Sequence, residues 1–175
     1  SVTPEIIEKF KPGPIPEDIQ KKLEHGLSLR SPGNGIPKSN GNEVICSWAI
    51  KQVAQIYSFD LTTGKSRQIS NETQPVGIVG LLPDEKHLIV SIDEDGQENP
   101  GIYVMNTETG EKKTIFKQAE AQASVAYITD DGSTLYYKVN SPEKKKTYTL
   151  YRYDMKSEVS TPLFSLEGLW GLLDV

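Results

Sequence analysis

The densest set of side chains in this chain that could do chemistry is Asp93-Glu94-Asp95-Gly96-Gln97-Glu98-Asn99-Pro100. Clustered carboxylates around an Asp-Gly turn are hard oxygen ligands, so calcium binding is the first chemistry to weigh. Their spacing is not that of a helix-loop-helix calcium loop, and no distal bidentate glutamate follows. The preferred reading is structural: Asp93, Asp95, Gly96 and Glu98 form a turn motif. In it Asp93 and Glu98 tie a hairpin together by side-chain to backbone hydrogen bonds. Other chemistry has less to build on. There is no Gly-x-Ser-x-Gly elbow to hold a nucleophile, no Gly-rich phosphate loop before a helix, and no Cys/His cluster with metal-ligand spacing. The two histidines, His25 and His87, read as surface residues, one ending a helix and one at the edge of a strand after a turn. The single cysteine, Cys46, cannot form a disulfide within the chain and reads as a small buried hydrophobe. No catalytic residue, metal ligand or cofactor site is therefore assigned.

The elements that position these residues repeat. Gln55-Ile56-Tyr57-Ser58-Phe59-Asp60-Leu61-Thr62-Thr63-Gly64-Lys65 is echoed by Gly101-Ile102-Tyr103-Val104-Met105-Asn106-Thr107-Glu108-Thr109-Gly110-Glu111. A third copy, Thr149-Leu150-Tyr151-Arg152-Tyr153-Asp154-Met155-Lys156-Ser157-Glu158-Val159, keeps the frame without the glycine. The signature residues Tyr57, Tyr103 and Tyr151 stand 46 and 48 residues apart (103 − 57 and 151 − 103). That step suits a four-stranded propeller blade. Each copy is the third strand of a unit. Second strands are expected over Val44–Trp48, Leu88–Ile92 and Leu135–Val139, each after a turn rich in Asn, Asp and Gly. Fourth strands are expected over Lys65–Ser70, Glu111–Phe116 and Val159–Phe164. First strands, crowded near the axis and so apolar and small, are expected over Val76–Leu82 and Ala123–Ile128.

The expected fold is thus all-β: three four-stranded blades of a β-propeller plus the first strand of a fourth, after a short helical segment. The helical segment covers 1–29, with helices over Pro4–Phe10 and Glu17–Glu24 separated by a proline-rich break. The partial propeller covers 30–175, with blades over 30–71, 72–117 and 118–165 and an orphan strand over 166–175. In that last stretch Gly168–Leu173 matches Gly77–Leu82 position for position, 91 residues on (168 − 77). Three blades and a strand do not close a ring, so the expectation is a part of a longer protein. The alternative is self-association through unpaired blade edges into a closed ring.

Composition narrows the partners. A net charge of −5 argues against nucleic acid, whose phosphates demand a basic face. The basic run Lys144-Lys145-Lys146 reads as a solvated loop tip. No apolar run approaches a membrane span, and a cytoplasmic location is the default expectation. The eight tyrosines outnumber four phenylalanines and two tryptophans together, a balance that suits half-buried strands.

The stretch from Val90 to Tyr103 resembles the Asp-x-Asp-Gly-x-Glu hairpin and Ile/Leu-Tyr strand of propellers in the prolyl oligopeptidase family of serine peptidases, which includes acylaminoacyl peptidases. Asn106-Thr107-Glu108-Thr109-Gly110-Glu111 is similar to the Asp-x-x-Thr-Gly-Glu turn of the same blades. Asn40-Gly41 and Asp131-Gly132 resemble their Ser-Pro-Asp-Gly-Lys turn without its Ser-Pro. The resemblance implies a propeller that limits access of peptides to an α/β-hydrolase domain following it in the chain, with the catalytic triad outside these residues. It implies two partners: that hydrolase domain, and the peptide substrate of the parent protein. The third-strand motif is also similar to that of the periplasmic Tol-system propeller, and a stand-alone propeller that binds proteins is the alternative.

Overall fold

A computed structural model describes residues 16–19, 21, 33–51, 53–94, 96, 98–140 and 147–168. The expected helix at Pro4–Phe10, half of Glu17–Glu24, Asp95, the Lys144–Lys146 tip and the strand from Leu169 onward lie outside the described residues. The chain divides into two compact units, Ser1–Ser31 and Pro32–Val175. In the first, residues 17–19 and 21 are helical, and Glu17 and Lys21 pair across one turn at 2.7 Å.

Among its described residues the second unit has twelve strands in three four-stranded antiparallel sheets, each a meander in chain order. The first holds β1 (Gly33–Pro37), β2 (Glu43–Lys51), β3 (Val53–Asp60) and β4 (Ser66–Gln68). The second holds β5 (Val76–Leu81), β6 (His87–Ile92), β7 (Gly101–Asn106) and β8 (Lys112–Phe116). The third holds β9 (Gln122–Ile128), β10 (Thr134–Asn140), β11 (Thr147–Asp154) and β12 (Val159–Glu167). The second and third strands sit where the alternation places them. β4 is shorter than Lys65–Ser70, because Ser70 leaves the ladder to bond through Oγ with the Ile56 amide and Gln55 Oε1. β12 runs past Phe164 to take in Leu166 and Glu167, since β11 begins early enough to pair Thr147 with Glu167. Leu166 and Glu167 therefore belong to the third sheet rather than to a strand beginning at 166.

Two apolar clusters hold the sheets face to face, and strand alternation decides which residue enters which. Between the first and second sheets lie Ile45, Ile56 and Ile69 from one side and Val76, Leu88, Val90, Ile92, Tyr103 and Met105 from the other. Between the second and third lie Ile89, Ile102 and Ile115 against Ala123, Leu135, Tyr137, Val139 and Tyr153. In β6 the even positions 88, 90 and 92 face back while Ile89 faces forward, so the middle sheet is buried on both faces. Fully burying such side chains contributes roughly 1.5–3 kcal/mol each.

One turn recurs in all three sheets. Asp60, Asn106 and Asp154 each accept, through one side-chain oxygen, the backbone amides two and three residues on. The turn closes where the amide of Gly64, Gly110 or Glu158 donates to the carbonyl of that same Asp or Asn. All three closing residues have positive φ, at 69°, 75° and 59°. Glycine adopts that conformation freely and glutamate does not.

Candidate functional site

The acidic connection between β6 and β7 is a tied turn. The Glu98 amide donates to Asp93 Oδ2 at 2.6 Å, the Gly96 amide to the Asp93 carbonyl at 3.2 Å, and Gly96 and Glu98 both have positive φ. Asp95 lies outside the described residues. Glu94 is engaged by Lys112, whose Nζ bridges Glu94 at 2.7 Å and Glu72 at 2.8 Å. Among the described residues no group of three or more His, Cys, Asp or Glu side chains is arranged to hold a metal ion.

The signature tyrosines are packing residues. Tyr57 is buried, donates to Gln68 Oε1 at 3.2 Å and meets the Trp48 ring edge-on at 5.9 Å. Tyr103 lies in the cluster between the first two sheets, with Lys112 Nζ 5.0 Å from its ring centroid. Tyr151 packs against the second cluster and stacks on Tyr137 at 5.2 Å. Gly101 is required by the middle one, because a Cβ there would fall 2.7 Å from the Tyr103 hydroxyl.

Cys46 is buried, and burial pushes its thiol above the usual range. His87 holds Asp84 Oδ2 through Nδ1 at 2.6 Å across the turn into β6. The sequence reading missed this pair, and also Arg67, whose guanidinium donates to the Thr107 and Glu108 carbonyls of the neighbouring sheet at 3.1 and 3.2 Å. An Asp three residues before a His was the available signal for the first. No local pattern announces the second.

Several carboxylates are held below their usual range. Burial pushes Asp84 up, but the His87 ring and the Lys86 and His87 amides together outweigh it. At Glu43 burial likewise opposes Ser58 and Lys38, which prevail. Asp131 and Asp154 are lowered chiefly by the backbone amides of Ser133 and Ser157, and Asp60 by that of Thr63. A carboxylate with a lowered native pKa stabilises the fold above its unfolded value, and that stabilisation is lost as pH falls through the native one. The melting temperature should therefore change little between pH 7 and about 5 and fall steadily below about pH 4. A scan that stays flat or rises down to about pH 3 would contradict this.

The third sheet presents an outward face that the first two bury. The register pairs Tyr57 with Gln68, Tyr103 with Thr114 and Tyr151 with Pro162, so Ile69, Ile115 and Leu163 are equivalent positions. Ile69 is 7% exposed and Ile115 9%, each covered by the sheet that follows; Leu163 is 46% exposed. Phe164 and Leu166, at 46% and 48%, extend the same apolar strand. Among the described residues no helix is long and apolar enough to cross a membrane.

No family model and no curated protein matches this chain. Solved structures do. An oligogalacturonate lyase in complex with manganese superposes with a TM-score of 0.63 at 16% identity, over 78% of this chain and 42% of that one. A study of two prolyl endopeptidases and their inter-domain dynamics gives 0.58 at 13% identity, over 82% and 23%. TolB from Acinetobacter baumannii gives 0.55 at 18% identity, over 74% and 31%. These likenesses show the fold: the three sheets are β-propeller blades. The chain spans less than half the length of each of the three.

Proposed function

We propose that this chain is the non-catalytic propeller portion of a prolyl-oligopeptidase-like serine peptidase, limiting peptide access to a hydrolase domain elsewhere in the parent protein. The outward face of the third sheet carries the reading. Its Leu163 occupies the position that Ile69 and Ile115 fill when another blade covers them, which supports a further blade packing there. The choice among propellers rests on the Asp93–Glu98 turn, which joins β6 to β7 where the peptidase family carries its acidic hairpin. The prolyl endopeptidase likeness agrees with that choice at the level of fold.

Charge placed on that face separates the isolated chain from the parent protein. Leu163→Lys should change the stability of the isolated chain by less than about 0.5 kcal/mol, as an exposed substitution does. In the product of the whole reading frame the same lysine would enter a covered seam and cost at least about 2 kcal/mol. Urea unfolding of both proteins checks this, and equal, small effects in both would remove the covering blade from the account.

A further inference from the structure

The outward face of the third sheet departs from the plan of the first two at its inner strands. On β2, β6 and β10 the residue before the partner of the signature tyrosine is Ile45, Ile89 and Tyr136. Ile45 and Ile89 are fully buried, each in the cluster shared with the sheet that follows. Tyr136 stands between Leu135 and Tyr137, which face the second sheet, so alternation places it on the outward face. It is half-buried there.

The neighbouring strand changes at the same place. β5 sets Gly80 opposite Ile89, whereas β9 sets Tyr127 opposite Tyr136. At the second seam a Cβ on Gly80 would stand 3.3 Å from Ile128 Cδ1, so β9 comes close against β5. On the third sheet that room is taken by the Tyr127 ring, 6.5 Å from the Tyr136 ring and tilted 39° to it. Further along the same face Asn140 Oδ1 is buried and has no hydrogen-bond partner among the described residues. The outer strands keep the apolar plan, with Leu150 and Leu163 where the other sheets have isoleucines. The face is therefore apolar at its outer strands and hydrogen-bonding at its inner ones. A covered isoleucine asks nothing polar of its neighbour. A covered tyrosine does, because a hydroxyl taken from water without a partner is costly.

We propose that the blade covering the third sheet meets it with a small residue against Tyr127 and an oxygen acceptor for the Tyr136 hydroxyl. The inference rests on the reading that a further blade packs there, and on continuity with the two seams, which use the same positions. Tyr136→Phe removes the hydroxyl and keeps the ring beside Tyr127, so a folded protein is expected with and without the rest of the reading frame. Urea unfolding of the 175-residue chain and of the full product, with Leu163→Lys alongside, is the test. In the isolated chain Tyr136→Phe should change the folding constant by less than about twofold. In the full product it should lower the constant of the propeller transition about tenfold, one buried hydrogen bond being lost and its acceptor left unpaired. An unchanged or raised constant there, with Leu163→Lys still costly, would overturn the proposal and leave the covering blade standing. Leu163→Lys harmless in both proteins would remove the covering blade, and this inference with it.

Discussion

Gly110→Ala is expected to destabilise the chain by roughly 2–5 kcal/mol, while Gly64→Ala, at the same place in the preceding blade, costs about 1–2 kcal/mol. Both glycines close the same turn with nearly the same positive φ, 75° and 69°, so the backbone penalty for alanine is shared. They differ in what surrounds them. Nothing lies within 4 Å of a Cβ at Gly64, whereas at Gly110 it would collide with the Ile69 carbonyl at 2.2 Å. Relief requires the whole turn to lift from β4, stretching the Arg67 bonds to Thr107 and Glu108. The excess at Gly110 thus measures how firmly the first two blades are seated. Urea midpoints of the two variants test it, and equal costs would mean that the turn does not bear on the neighbouring sheet.

Ile89→Ala should cost about 2–5 kcal/mol, the range for removing a buried branched side chain and leaving a cavity. Ile89 is fully buried in the cluster between the second and third sheets, where Leu135, Tyr137 and Val139 face it from β10. These neighbours are held by their own ladders, to β9 and β11, and cannot collapse into the gap. Leu163→Ala in the isolated chain is the matched control, with less than about 1 kcal/mol expected because the side chain is already half exposed. Should the two substitutions cost the same, the second cluster would not be holding the sheets together.

What the sequence made legible is what repeats locally. The Tyr57, Tyr103 and Tyr151 strands, the Asp or Asn that caps each following turn, and the alternation through Leu88–Ile92 are set by neighbours in the chain, and all appear in the three sheets. β1 was not read, because Gly33-Asn34-Gly35-Ile36-Pro37 has neither alternation nor β-branched enrichment; its pairing with β2 makes it a strand. The limits of β4 and β12 depend on hydrogen bonds and pairing to partners elsewhere in the sheet, Ser70 with Ile56 and Thr147 with Glu167. The Lys112 bridge between Glu72 and Glu94 joins residues 40 and 18 positions away, beyond any local pattern. The missing glycine of the third copy was visible, but its consequence was not. Only the contact of Gly110 with Ile69 shows what Glu158 prevents.

The peptidase reading comes down to where a reactive serine lies. The product of the complete reading frame is treated with a fluorophosphonate probe, digested, and the labelled peptide identified by mass spectrometry, with the 175-residue chain alone treated in parallel. The account predicts one labelled serine outside residues 1–175, labelling lost on heat denaturation, and no label on the chain alone. A label on a serine within these residues, or a full-length product that takes up no probe, would contradict it.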